Sequence, residues 1–376
     1  MSDTLASVAG ETADQPAVAR RHRRRWLRFI PLLIGAMAMA LGLWTGLVRL
    51  GVPLPAGTFP PAELHSAFMI AGFLGTVIGL ERAVAVGRWW AYGAPAVSAA
   101  GALALAMNFG QVGALAFVLA STTLLVTTAS VAYRQFAMFI VVLGIGAACW
   151  TVGSVLWLMG HSLPAIAGWW LNFLILTIAA ERLELSRILS VSRASQALFF
   201  GASSLLLIGA ARAELTLSWT PFTAGGLIGL AAWLLHHDVA RRTIRLGGLP
   251  KFSACSILAG HIWLGAAGVL LAYASSGAVI LPYDAVVHAI AIGFVLSMIF
   301  GHAPIILPAV TGLRVRFSAA AYAALVLLHL SILARVVGDV LGMMEVRAAS
   351  GVLTVFALIS YAAILIAASW RRSRLA

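Results

Sequence analysis

Nine histidines hold most of the metal-binding and proton-transferring capacity of this 376-residue chain. Five of them, His65, His261, His288, His302 and His329, lie within or at the edges of long apolar runs. Ionisable side chains are rare there, usually face the interior of a helix bundle, and mark function. The other four, His22 in a basic tail, His161 in a loop, and His236 and His237 beside Asp238, read as solvated. His65 lies about four residues into its apolar run and His288 about five into another, so both would sit roughly 6–8 Å below the same membrane boundary on helices rising 1.5 Å per residue. Two neutral imidazoles at one depth on two parallel helices could hold a haem iron from opposite faces, and a low-polarity bundle interior suits that cofactor. The competing reading is two polar side chains hydrogen-bonded across helices near the interface. Gly72, Gly75 and Gly79 on the first helix, with Ala289, Ala291 and Gly293 on the second, serve either close packing or room for a flat macrocycle.

A haem near that face needs its propionates neutralised, and Arg335 lies on the same side, just after the helix carrying His329. Arginine suits carboxylates because its planar fork binds them bidentately. A local pair between Arg335 and Asp339 competes for the same guanidinium, while Arg49 and Arg347 are weaker candidates. Asp284, four residues before His288, reads either as a helix-start residue or as the acceptor for the ring nitrogen that faces away from a metal. His302 follows His288 by fourteen residues, on nearly the same side of a helix and about 21 Å away, in Gly301-His302-Ala303-Pro304-Ile305-Ile306-Leu307-Pro308. Its prolines predict the end of the helix and freed carbonyls, at a metal or substrate site or a plain helix exit. His261 and His329 read as buried, satisfied histidines or as ligands of a second metal, with copper or a second haem as the occupant.

The elements that must position these side chains follow from composition. Hydrophobic residues make up 62% and charged residues 10%, whereas a soluble domain carries roughly a quarter charged residues. The chain therefore belongs in a lipid bilayer. Two lone cysteines, Cys149 and Cys255, exclude a disulfide framework, a zinc knuckle and a c-type haem attachment. Apolar stretches of about 20 residues predict twelve spans. They cover 29–50, 62–82, 90–108, 112–132, 136–159, 164–183, 194–214, 217–237, 252–275, 283–304, 318–338 and 347–370. They form one transmembrane domain over 29–376, preceded by a basic tail over 1–28. With both termini cytoplasmic, the cytoplasmic side holds 21 of the 25 basic residues, leaving Arg49, Arg212, Arg335 and Arg347 outside. That asymmetry fits the positive-inside rule in an inner membrane. It explains the +13 charge without nucleic acid. Spans 2 and 6 end in Glu81-Arg82 and Glu181-Arg182, one hundred residues apart. The pairs read as snorkelling, solvated ends or as a trace of three four-helix units in a pseudo-threefold arrangement.

Twelve helices with histidines near the outer ends of helices 2 and 10 resemble haem-copper oxidase subunit I. That resemblance implies three four-helix arcs, His65 and His288 as low-spin haem ligands, and Arg335 at the propionates. Spans 6 and 7 carry no histidine, and the His-x-His of helix 10 is absent, so oxygen reduction at a haem-copper centre is not expected. The chain is also similar to the NnrS-type membrane proteins, which contain haem and copper and are associated with nitric-oxide stress. His288 followed by Gly301-His302 matches them in kind, although Ala303-Pro304-Ile305 replaces the rest of their Gly-His-Thr-Gly-Arg pattern. The expectation is an all-α membrane protein with one b-type haem, serving electron transfer or binding a diatomic gas such as nitric oxide. A redox protein or quinone would be the partner. Two other readings stay open. A cofactor-free transporter of a small solute fits the Pro-interrupted segment at Pro304 and Pro308, although Glu81, Glu181 and Glu184 all lie at inner ends rather than mid-membrane. A structural subunit would carry no cofactor and would co-purify with partners.

Overall fold

In hydrocarbon every backbone N–H and C=O must be bonded within its own segment, so apolar runs of this length can only be helical. A computed structural model describes residues 28–55, 60–186, 192–216, 221–275, 283–312 and 315–370, and every element among them is a helix. Each of the twelve predicted segments contains one. In chain order they are α1 (Arg28–Arg49), α2 (Ala62–Val86), α3 (Gly93–Ala106), α4 (Gly110–Arg134), α5 (Met138–Leu158) and α6 (Leu163–Ser186). There follow α7 (Arg193–Thr216), α8 (Pro221–His237), α9 (Gly248–Ser275), α10 (283–311), α11 (Ala321–Leu341) and α12 (Met344–Trp370). Ten are long and apolar enough to cross a membrane; α3, with 14 residues, and α8, with 17, are shorter. His22 and the arginines before Arg28, together with Arg187, Arg314, Arg371, Arg372 and Arg374, lie outside the described residues.

Most sequence neighbours pack against each other, whereas α10 sits centrally and touches α2, α6, α9 and α11. Close approach rests on the glycines. A Cβ at Gly75 would lie 2.5 Å from the Trp150 ring, and one at Gly79 3.2 Å from Pro95. One at Gly293 would lie 2.5 Å from Trp263. Packing, not a flat ligand, occupies the space beside these three.

At one end of the bundle α2, α6 and α10 are tied by charge. Arg82 pairs with Glu181, and Arg182 bonds His302 at 2.8 Å. The two matching Glu-Arg sequences are thus not equivalent solvated ends, because Arg182 is buried with 7% exposure.

The prolines of α10 do not end it. Pro304 and Pro308 lie inside a helix that continues to Thr311. Proline at 304 removes the N–H that would bond the Phe300 carbonyl, and the Tyr361 hydroxyl of α12 donates to that carbonyl instead, at 2.5 Å. The Tyr361 and Phe300 rings stack with centroids 4.0 Å apart. Tyr361→Phe keeps the stack and strands a buried carbonyl, so it is expected to destabilise the fold by about 1–3 kcal/mol. Adding Pro304→Ala returns an N–H to the helix and should recover most of that loss. A double-mutant cycle of unfolding midpoints checks both; additive costs would refute the coupling.

Candidate functional site

His65 and His288 are brought together. Their ring centroids are 6.1 Å apart and their planes 19° from parallel. Rings in van der Waals contact would stack much closer. Two imidazoles bound to one metal through Nε2, at about 2 Å per bond, need centroids about 6 Å apart. Each ring is fixed by its other nitrogen: Nδ1–H of His65 donates to the Gly42 carbonyl at 2.6 Å, and Nδ1–H of His288 to the Asp284 carbonyl at 2.9 Å. That sets the tautomer and leaves the Nε2 lone pair, the arrangement expected of metal-binding histidines. Neither Nε2 has a hydrogen-bond partner among the described residues. Gly46 makes room for the pair, since a Cβ there would sit 2.8 Å from Cε1 and Nδ1 of His65.

The local backbone is distorted in the same way on both helices. A π-helical stretch, Ala67–Gly75, begins two residues after His65, and another, Ala289–Leu296, begins directly after His288. π turns are uncommon and concentrate at functional sites. Here they reset the angular register between each histidine and the rest of its helix.

Both histidines line a cavity of ≈ 370 Å³ with mostly aliphatic walls, including Leu47, Ile70 and Leu174. Its polar rim gathers Arg49, Arg335 and Arg347, three of the four arginines assigned to one side by the charge asymmetry. Arg335 finds the local partner that competes for it and a second one besides. It pairs with Asp284 and lies 3.5 Å from Asp339, while Arg347 pairs with Asp339 and lies 3.2 Å from Asp284. Asp284 stands in the first turn of α10 and also lies 3.3 Å from His288 Nδ1. These four charges cancel. Arg49 forms no ion pair among the described residues and is the net positive charge on the rim.

The other three membrane histidines do not join this site. His302 Nε2 accepts from Arg182, and its Nδ1–H donates to the Met298 carbonyl at 2.7 Å, so both nitrogens are used. His329 Nδ1 accepts from Trp263 Nε1–H at 3.0 Å, which places its proton on Nε2, 3.4 Å from Ser297 Oγ. A nitrogen that carries a proton cannot bind a metal. His261 donates Nε2–H to Asp238 at 3.0 Å, and its Nδ1 has no partner. Among the described residues no three His, Cys, Asp or Glu side chains are grouped to hold a metal. No such group gathers at His261, His302 or His329 among the described residues.

Asp238 itself, in the connection after α8, carries a pH signature. Burial alone would raise its pKa, but the His261 N–H, the Arg182 charge and the Ala240 amide hold it below its ordinary value of 3.8. A depressed carboxylate stabilises the fold above the ordinary value and loses that contribution as pH falls through the depressed one. Asp238→Asn should therefore be less stable than wild type near neutrality, with the gap closing below about pH 4. Unfolding midpoints across that range measure it; a constant gap would disprove the linkage.

Residues that sequence reasoning did not find include Gly42, Gly46, Trp263 and the π stretches. Gly42 and Gly46 are spaced as a small-xxx-small face of α1, a signal that points to close helix approach. The π stretches leave no trace in hydropathy. Residues 28–370 match the family described as "Domain of unknown function (DUF8744)". No curated protein and no solved structure matches the chain.

Proposed function

We propose that this chain, which belongs to the DUF8744 family, is a twelve-span membrane protein of the cytoplasmic membrane that binds one b-type haem between His65 and His288 and serves electron transfer. The observation that carries this reading is the histidine pair, 6.1 Å apart and nearly parallel, with both Nδ1 atoms committed to backbone carbonyls. Haem, when bound, would supply one-electron chemistry, and with both His65 and His288 holding it a gas would have nowhere to bind, which favours electron transfer over nitric-oxide binding. Gly42 and Asp284 orient the imidazoles and keep the metal-facing nitrogens unprotonated. The aliphatic cavity wall excludes water, and Arg49 offers a positive charge to the acidic edge of the macrocycle. Arg335 and Arg347 hold Asp284, and through it His288, in place. Both termini lie on the cytoplasmic side, which puts the pair near the outer face.

The test is the absorption spectrum of the purified full-length protein. A Soret band and a reduced b-type spectrum are expected, unchanged by carbon monoxide if His65 and His288 both hold the iron. A colourless, iron-free preparation would favour the second reading, an apolar solute held in the same aliphatic cavity.

A further inference from the structure

Between α8 and α9 the chain makes one helical turn, Ala240–Thr243, and places Arg241, Arg242 and Arg245 within five residues. Together with His236 and Asp238, these arginines line a concavity of ≈ 300 Å³. Arg241 donates one N–H to the His236 carbonyl at 2.9 Å. None of the three forms an ion pair among the described residues. Asp238, the one carboxylate of the lining, is already engaged: His261 donates to Oδ2 at 3.0 Å and the Ala240 amide to Oδ1 at 2.8 Å, and the side chain is 1% exposed. The concavity thus presents three guanidinium groups without an ion pair, over a carboxylate whose two oxygens are already hydrogen-bonded from within.

We infer that this concavity binds a phosphoryl anion, carried by an anionic phospholipid headgroup or by a soluble phosphate. The guanidinium fork matches pairs of phosphate oxygens and forms charge-assisted bonds to them. The site lies at the end of the bundle opposite the histidine pair, beside the Arg182–His302 contact, where the helices leave the apolar layer. Basic pockets between helices at that level suit phospholipid headgroups. Membrane orientation alone requires positive charge on this side, but it does not require three arginines to converge on one concavity. The site is independent of the proposed haem.

The test uses the full chain, delipidated in detergent, with thermal unfolding read against two probes: inorganic phosphate, and phosphatidylglycerol in mixed micelles. Phosphatidylcholine and chloride at matched ionic strength are the controls. Wild type should be stabilised by at least one probe and by neither control. The triple variant Arg241→Gln, Arg242→Gln, Arg245→Gln should need about a hundredfold more of that probe, at roughly a factor of five per arginine. A response to phosphatidylglycerol alone assigns the lipid headgroup, and a response to phosphate assigns a soluble anion. No response to either, or an unshifted triple variant, overturns the site. If the glutamine triple fails to insert, the corresponding lysine triple decides, because it keeps the charge and loses the fork. About tenfold weaker response supports the site, and an unshifted midpoint overturns it.

Discussion

Chains carrying His65→Ala or His288→Ala are each expected to retain at least about tenfold less haem than wild type, since even losing a supporting hydrogen bond costs a metal site 10–100-fold. The two losses should be equal, because each removes one of two equivalent donors held at 6.1 Å. Misfolding would give the same loss for a different reason, so rescue is the informative arm. Imidazole added to either variant fills the volume of the missing ring and should restore part of the Soret band. Haem retention by either alanine variant without imidazole would remove that histidine from the site. Gly46→Ala should give an intermediate result, because its Cβ would press on the His65 ring without removing the ligand.

Asp339→Ala is expected to have the largest effect on stability. Its side chain is fully buried, it pairs with Arg347, and it lies 3.5 Å from Arg335. Removing it leaves two arginines and only Asp284 to balance them. Stranding a buried charge costs about 3–5 kcal/mol, to be read from the unfolding midpoint in a denaturing detergent. Asp284 is then drawn more tightly by both arginines, so the His288 ring should also shift and haem content should fall. A midpoint within about 1 kcal/mol of wild type would mean that solvent screens the cluster.

How much of this was legible in the sequence depends on what each residue's partner was. The shared depth of His65 and His288 follows from counting 1.5 Å per residue from a boundary, a one-dimensional quantity. That the rings approach each other depends on which helices are neighbours, and hydropathy does not encode this. Arg335 illustrates the same limit: its local partner Asp339 is visible at a spacing of four, but Asp284, 51 residues away, is not. Glu81-Arg82 and Glu181-Arg182 look alike in sequence, yet they diverge because Arg82 finds Glu181 whereas Arg182 finds His302. Pro304 shows how a sound local rule is overridden. The lost N–H is real, but a hydroxyl from another helix takes the carbonyl it frees. His302 and His329 could be told from the pair only by the partners Arg182, Trp263 and Ser297, which lie on other helices, whereas His261 keeps one nitrogen free as the pair does and differs in donating to Asp238 in a connection.

The most direct measurement is low-temperature electron paramagnetic resonance of the oxidised, purified protein, calibrated for spins per chain. If His65 and His288, whose ring planes lie 19° from parallel, together held one haem iron, a single low-spin ferric signal of the rhombic kind would be seen, at about one spin per chain. A high-spin signal, or a sample with no haem iron at all, would contradict the assignment of His65 and His288 as a ligand pair.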